Sequence, residues 1–141
     1  MNYFPNETPE QLRAKLLAHV QSLPETPRAV QMWWHYRETA LWATTDEQGR
    51  PLDRRFGSAD YSDEAEAQMI EDCERFLQAI AHLDVALDLA DLGHDFWLTR
   101  NRHGAGFWDR GLGELGKTLT EIAHSFGECD LYVGDDGRLY L

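Results

Sequence analysis

Between Ser62 and Ile80, the residues Met69, Ile70, Cys73, Phe76, Leu77 and Ile80 recur at intervals of three and four. That spacing puts them on one stripe of an α-helix. An isolated helix of this kind is marginal in water, and its apolar stripe has to be covered by other elements. The segment therefore commits the chain to a packed helical core. Asp63, Glu64 and Glu66 fall in its first turn, where the helix dipole favours anions.

The rest of the chain supplies the cover. A helix is expected to start near Thr8, with Thr8 as cap, Pro9 at the first helical position, and Leu12, Leu16, Leu17 and Val20 at helical spacing. Pro24 and Pro27 end it. A second helix is expected from about Pro27 to Thr44, with Val30, Trp33, Trp34, Leu41 and Trp42 as a bulky face read mainly as core. Residues 46–61 carry Gly49, Pro51 and Gly57 and read as a long loop. From Leu83 to Leu92 apolar residues alternate, but Asp88, Asp91 and Gly93 favour a short capped helical turn over a strand. Residues 95–100 read as a strand, 101–104 as a turn and 106–109 as the returning strand. Leu112, Leu115, Leu119, Ile122 and Phe126 mark a further helix closed by Gly127, and Gly134-Asp-Asp-Gly137 between Leu131–Val133 and Leu139–Leu141 signals a hairpin. The expected fold is one α+β domain over 1–141, with an antiparallel sheet of three or four strands in the C-terminal half packed by about four helices. Its parts are a helical 1–45, the 46–61 loop, an acidic helical 62–92 and a hairpin-helix-hairpin over 93–141.

A chain of 141 residues that is 43% hydrophobic can build such a core. Its 25 acidic against 13 basic residues give a net charge of −12, which disfavours general binding to nucleic acid or to an anionic membrane face. No apolar run approaches the ~20 residues of a membrane span, and the N-terminus lacks a charged-then-apolar signal region. Cys73 and Cys129 fit neither a disulfide framework nor a zinc cluster. A reducing cytoplasm is the expected setting.

The acidity is concentrated. Ten acidic residues lie between Asp60 and Asp91 against Arg75 alone, a local charge of −9 within the total. Asp60, at the end of the loop, and Asp63, Glu64, Glu66, Glu71, Asp72 and Glu74 of the helix are the binding candidates in this window. They suit a solvated face that keeps the protein soluble, or an anionic surface that docks on a basic partner by imitating a row of phosphates. Arg50, Arg54 and Arg55 in the long loop, and Arg100, Arg102 and Arg110 near the aromatic segment, are small basic groups for ion pairing, or for gripping a base or phosphate beside Trp97 and Trp108.

The densest stretch runs from His94 to Gly111. His103 there suits a general base, with Asp95 or Asp109 to orient it and Arg100 to hold an oxyanion, but no nucleophile motif accompanies it. A structural His103 that caps the turn fits the residues as well. His94, Asp95, His103 and Asp109 are the weak metal-ligand candidates, and their spacing follows no zinc pattern. Glu128, Asp130, Asp135 and Asp136 lack the EF-hand pattern and read as a plain turn. No cofactor is expected.

Gly93-His-Asp-Phe, Arg100-Asn, His103-Gly, Gly106-Phe-Trp-Asp109 and Asp130-Leu-Tyr-Val-Gly-Asp-Asp-Gly137 together resemble a motif of small acidic proteins encoded by bacteriophages, prophages and plasmids. The resemblance covers Gly93 to Tyr140, reaches weakly upstream through Leu41-Trp42 and Asp72-Cys73 to Phe76, and covers the first 35 residues poorly. The chain departs from it at Arg102, where a small glycine-like residue is expected. The resemblance implies a mobile genetic element in a bacterial host cell, and no mechanism. The leading expectation is a non-enzymatic protein that docks on a basic host or phage protein, in its sharp form an inhibitor of a nucleic-acid-handling defence system of the anti-CRISPR or anti-restriction kind. The alternatives are an accessory phage protein that dimerises through exposed tryptophans, and a small phosphoester or nucleotide hydrolase built on His103.

Overall fold

A computed structural model describes residues 27–141, together with Gln11 and Ala14. The helix expected after Thr8 lies, apart from those two positions, outside the described residues. Helix α1 spans Arg28–Ala43, α2 Asp63–Ala79, α3 Leu89–Arg100 and α4 Glu114–Ser125, and strands β1 (Tyr132–Val133) and β2 (Leu139–Tyr140) close the chain order. The α+β reading holds, but the sheet among the described residues is the two-stranded β1–β2 hairpin rather than three or four strands.

Local chemistry explains each boundary. Pro27 precedes α1, and its carbonyl accepts the N–H groups of Val30 and Gln31. Ser62 caps α2 by accepting the Ala65 N–H, and Asp88 caps α3 by accepting the Asp91 N–H. Gly127, at φ 77°, takes the left-handed step that ends α4. The 46–61 connection contains 3₁₀ turns at Leu52–Arg54 and Ser58–Asp60. The hairpin pairs Tyr132 with Tyr140 and Val133 with Leu139. It is docked on α2, because Leu139 O accepts the Ser62 N–H at 2.9 Å and an Arg138 Nη2 donates to Tyr61 O at 2.6 Å.

The main correction concerns residues 89–109. Residues 95–100, expected as a strand, continue α3, and 106–109, expected as its partner, form a 3₁₀ turn at Phe107–Asp109. Every residue from Asp95 to Arg100 is buried, as are Leu92 and Gly93. A helix enclosed on nearly all sides loses the one-faced periodicity that marks a surface helix. The short helical turn expected within 83–92 is instead the start of this longer helix.

Helices α1 and α3 cross at Gly93. A Cβ there would collide with the Met32 carbonyl oxygen and lie 2.9 Å from Tyr36 N. Beneath that contact, Phe76 of α2 stacks on Phe96 of α3 with centroids 4.3 Å apart. Phe107 lies on Phe76 at 5.8 Å, Phe126 meets Phe96 edge-on at 5.0 Å, and Tyr36 packs on Phe96 at 5.3 Å. One aromatic cluster thus joins α1, α2, α3, the residue that follows α4 and the 107–109 turn. Of the tryptophans on α1, only Trp33 belongs to the core. Trp34 and Trp42, expected there too, are 52% and 44% exposed. No helix among the described residues is long and apolar enough to cross a membrane.

Candidate functional site

A groove of about 600 Å³ lies between α1 and α3. Helix α1 contributes His35, Glu38, Thr39 and Trp42, and α3 contributes Asp91, His94 and Asp95. Both series contain spacings of three and four residues, so each is one helix face. Arg110 and Leu112, from the segment before α4, close one side.

Its centre is Asp95, whose side chain is only 3% exposed. Arg110 grips this carboxylate with two bonds, Nε to Oδ2 at 3.1 Å and Nη2 to Oδ1 at 2.8 Å. This fork-on-fork pairing offsets the burial of the charge. The same bond lifts the Arg110 pKa above its ordinary value, with burial opposing. His94 Nδ1 lies 2.9 Å from Asp95 Oδ1. A carboxylate only accepts, so Nδ1 carries the proton of this bond, and Nε2 is left for another partner. The Trp42 ring leans against this imidazole, with centroids 5.5 Å apart.

The expected His103 constellation is not assembled. The His103 backbone N–H bonds Leu98 O at 3.0 Å, and its ring makes no hydrogen bond among the described residues. Asp109 accepts the Gly106 N–H at 3.0 Å, so it closes its own turn rather than orienting His103. The four metal candidates do not converge either: among the described residues no group of three or more His, Cys, Asp and Glu side chains could hold a metal ion. Asp136 serves its turn, accepting Arg138 N–H at 2.9 Å and the Tyr140 hydroxyl at 2.6 Å.

Arg100, expected to hold an anion from outside, is a structural hub. Its Nη1 donates to Asp72 Oδ2 at 2.8 Å and to the Tyr36 hydroxyl at 3.0 Å. Its Nε and Nη2 donate to the carbonyls of Gly127 and Phe126, which satisfies the end of α4. Burial works against the Arg100 charge, but the Tyr36 oxygen and the Asp72 carboxylate reverse this and hold its pKa above the ordinary value.

The acidic window divides in the same way. Asp72 and Glu66 are buried and so are no part of an outer face, whereas Asp60, Asp63, Glu64, Glu71 and Glu74 reach solvent at least in part. Trp97 is buried in the core, while Trp108 is 56% exposed and Arg102 also stands in solvent. Cys73 is buried, and both burial and Asp72 push its thiol pKa well up, which makes it a core residue and not a nucleophile.

Glu38, Trp42 and the exposed Asp91 were not among the site residues expected from the sequence. Their signal was the matching helical spacing on two segments, which is readable only once 89–100 is known to be a helix. No protein-family model matches the chain, and neither a curated protein nor a solved structure does.

Proposed function

We propose that this chain is a non-enzymatic acidic docking protein that binds a protein with a basic surface. The observation that carries this reading is the exposure of Trp34, Trp42 and Trp108 on a chain of net charge −12. Exposed tryptophans are the residues most often found as anchors at protein interfaces, and the surrounding charge would steer a basic partner onto them. The motif resemblance favours a partner in a bacterial host, with a nucleic-acid-handling defence protein as the sharp form, because such proteins present basic surfaces to nucleic acid.

The test is a tagged capture from bacterial host lysate at low and at high salt, run beside a Glu64→Lys, Glu71→Lys, Glu74→Lys variant. The expected result is a dominant partner whose capture falls at high salt and in the variant. A partner captured equally by the variant overturns the electrostatic reading. An empty capture together with a sedimenting dimer favours the accessory-dimer alternative, since the same tryptophans can cover one another.

A further inference from the structure

We infer that the groove between α1 and α3 is a receptor for an arginine side chain of the partner. The inference rests on the docking reading only for the source of that arginine.

Three carboxylates line the groove, Glu38, Asp91 and Asp95, against the single guanidinium of Arg110. Arg110 is committed to Asp95 through both of that carboxylate's oxygens. The charge offered to a ligand is therefore mainly that of the exposed Glu38 and Asp91, which act on Arg37 and Arg110 from beyond ion-pair distance. The groove selects against an anion and for a cation.

The remaining groups select the shape of that cation. Trp42 presents a large exposed aromatic surface at the groove wall. His94, fixed by Asp95 through Nδ1, leaves Nε2 for a further hydrogen bond. A ligand that uses all of these must be positively charged, flat enough to lie on an indole, and able to donate several hydrogen bonds in one plane. A guanidinium meets each condition, whereas an ammonium is a point charge without a face. The same helix already displays this pairing internally, because the Arg37 guanidinium lies 4.5 Å from the Trp33 ring centre and 4.1 Å from that of Trp34. The groove offers one such ring, Trp42, with the guanidinium left to be supplied.

The Asp95–Arg110 pair gives the site its rigidity. Asp95 is anchored on buried α3, Arg110 ties the 107–112 segment to it, and the imidazole is held between Asp95 and Trp42. The imidazole is thus positioned before any ligand arrives, which lowers the ordering cost of binding.

The experiment is an NMR titration of the full chain with N-acetyl-arginine amide, its uncharged isostere N-acetyl-citrulline amide, and N-acetyl-lysine amide. The Trp42 indole N–H and the His94 ring protons are the reporters. The arginine probe is expected to give saturable shifts at both, with a millimolar Kd, and citrulline to bind about ten-fold more weakly. A Glu38→Gln, Asp91→Asn variant, both changes being at exposed positions, is expected to lose about five-fold with its other resonances in place. Non-saturating shifts, equal binding of citrulline, or undiminished binding by the variant overturns the inference. These results are separable from those of the capture experiment. Arginine binding with an empty capture keeps the site and removes the docking function, and capture of a partner that tolerates the Glu38→Gln, Asp91→Asn change keeps docking and removes this site.

Discussion

Arg100 and Asp72 meet at 2.8 Å with side chains that are 5% and 7% exposed, and they join α3 to α2 across 28 residues of chain. The carboxylate is the charge partner, while Tyr36 and two α4-terminal carbonyls take the remaining Arg100 donors. Removing one member would strand the other in the interior. Asp72→Ala is therefore expected to cost about 3–5 kcal/mol, more than an exposed pair could account for. An Arg100→Met, Asp72→Leu double variant is expected to lose clearly less than the sum of its single changes. A urea-unfolding double-mutant cycle checks this, and additive losses would show that the two do not act as a pair.

Gly93 sets how closely α1 and α3 approach. Alanine would gain helix propensity of about 1 kcal/mol, but its Cβ would push into the Met32 carbonyl and the Tyr36 N–H. Overpacking of this kind costs about 1–3 kcal/mol, and the contacting atoms are backbone, which yields little. Gly93→Ala is expected to lower the unfolding midpoint and to shift the groove reporters His94 and Trp42. A rise in the midpoint would mean that the helices separate freely.

Arg102 sits at φ 57°, in the left-handed region, at the turn that follows α3. The sequence reading expects a small, glycine-like residue here, and a left-handed backbone favours glycine. A side chain in this conformation costs about 1–2 kcal/mol, from which glycine's extra chain entropy of about 0.5–1 kcal/mol is subtracted. The Arg102–Glu128 ion pair, at 3.9 Å and well exposed, offsets little of this. Arg102→Gly is expected to stabilise by up to about 1 kcal/mol and Arg102→Val to destabilise, both read from thermal unfolding.

The buried Tyr36 and Tyr61 hydroxyls and the Cys73 and Cys129 thiols all have pKa values raised by burial. Unfolded, they ionise near their ordinary values of 9.0 for cysteine and 10.0 for tyrosine, whereas folded they stay protonated. Their contribution to stability is complete below those values and is lost as pH rises through them. The urea midpoint is expected to hold up to about pH 8 and to fall beyond it, while Cys73 resists thiol reagents at pH 8 until the chain unfolds. A midpoint that stays flat to pH 11 would contradict the burial of these groups.

Much of the architecture was legible in residues whose roles are local. The Asp88 cap, the Gly127 stop and the Gly134–Gly137 turn each act through a few neighbouring bonds, and each stands where its chemistry puts it. Residues 95–100 were misread because polar Asp95, Thr99 and Arg100 are buried with partners far away in sequence, which erased the polar face of the helix. Phe107 was misread with them, since its N–H is taken by Thr99 Oγ1 at 3.1 Å rather than by a neighbouring strand. For the candidate site, Asp95, His94 and Arg110 were singled out as chemistry-bearing residues, but their mutual pairing depends on a helix and a turn that local propensity does not distinguish from a hairpin.

The docking of the hairpin on the start of α2 also orders events in time. Tyr61 and Arg138 are 77 residues apart, and the bond between them closes where Ser62 begins the helix. At ~5–20 residues per second of synthesis, the first turn of α2 leaves the ribosome roughly 4–15 s before the strand that seals it. During that interval the residues Leu139 will cover have no native lid. A nascent chain stalled before Arg138 would hold α2 with its entry open, a species that proteases and chaperones can reach and that the finished protein hides.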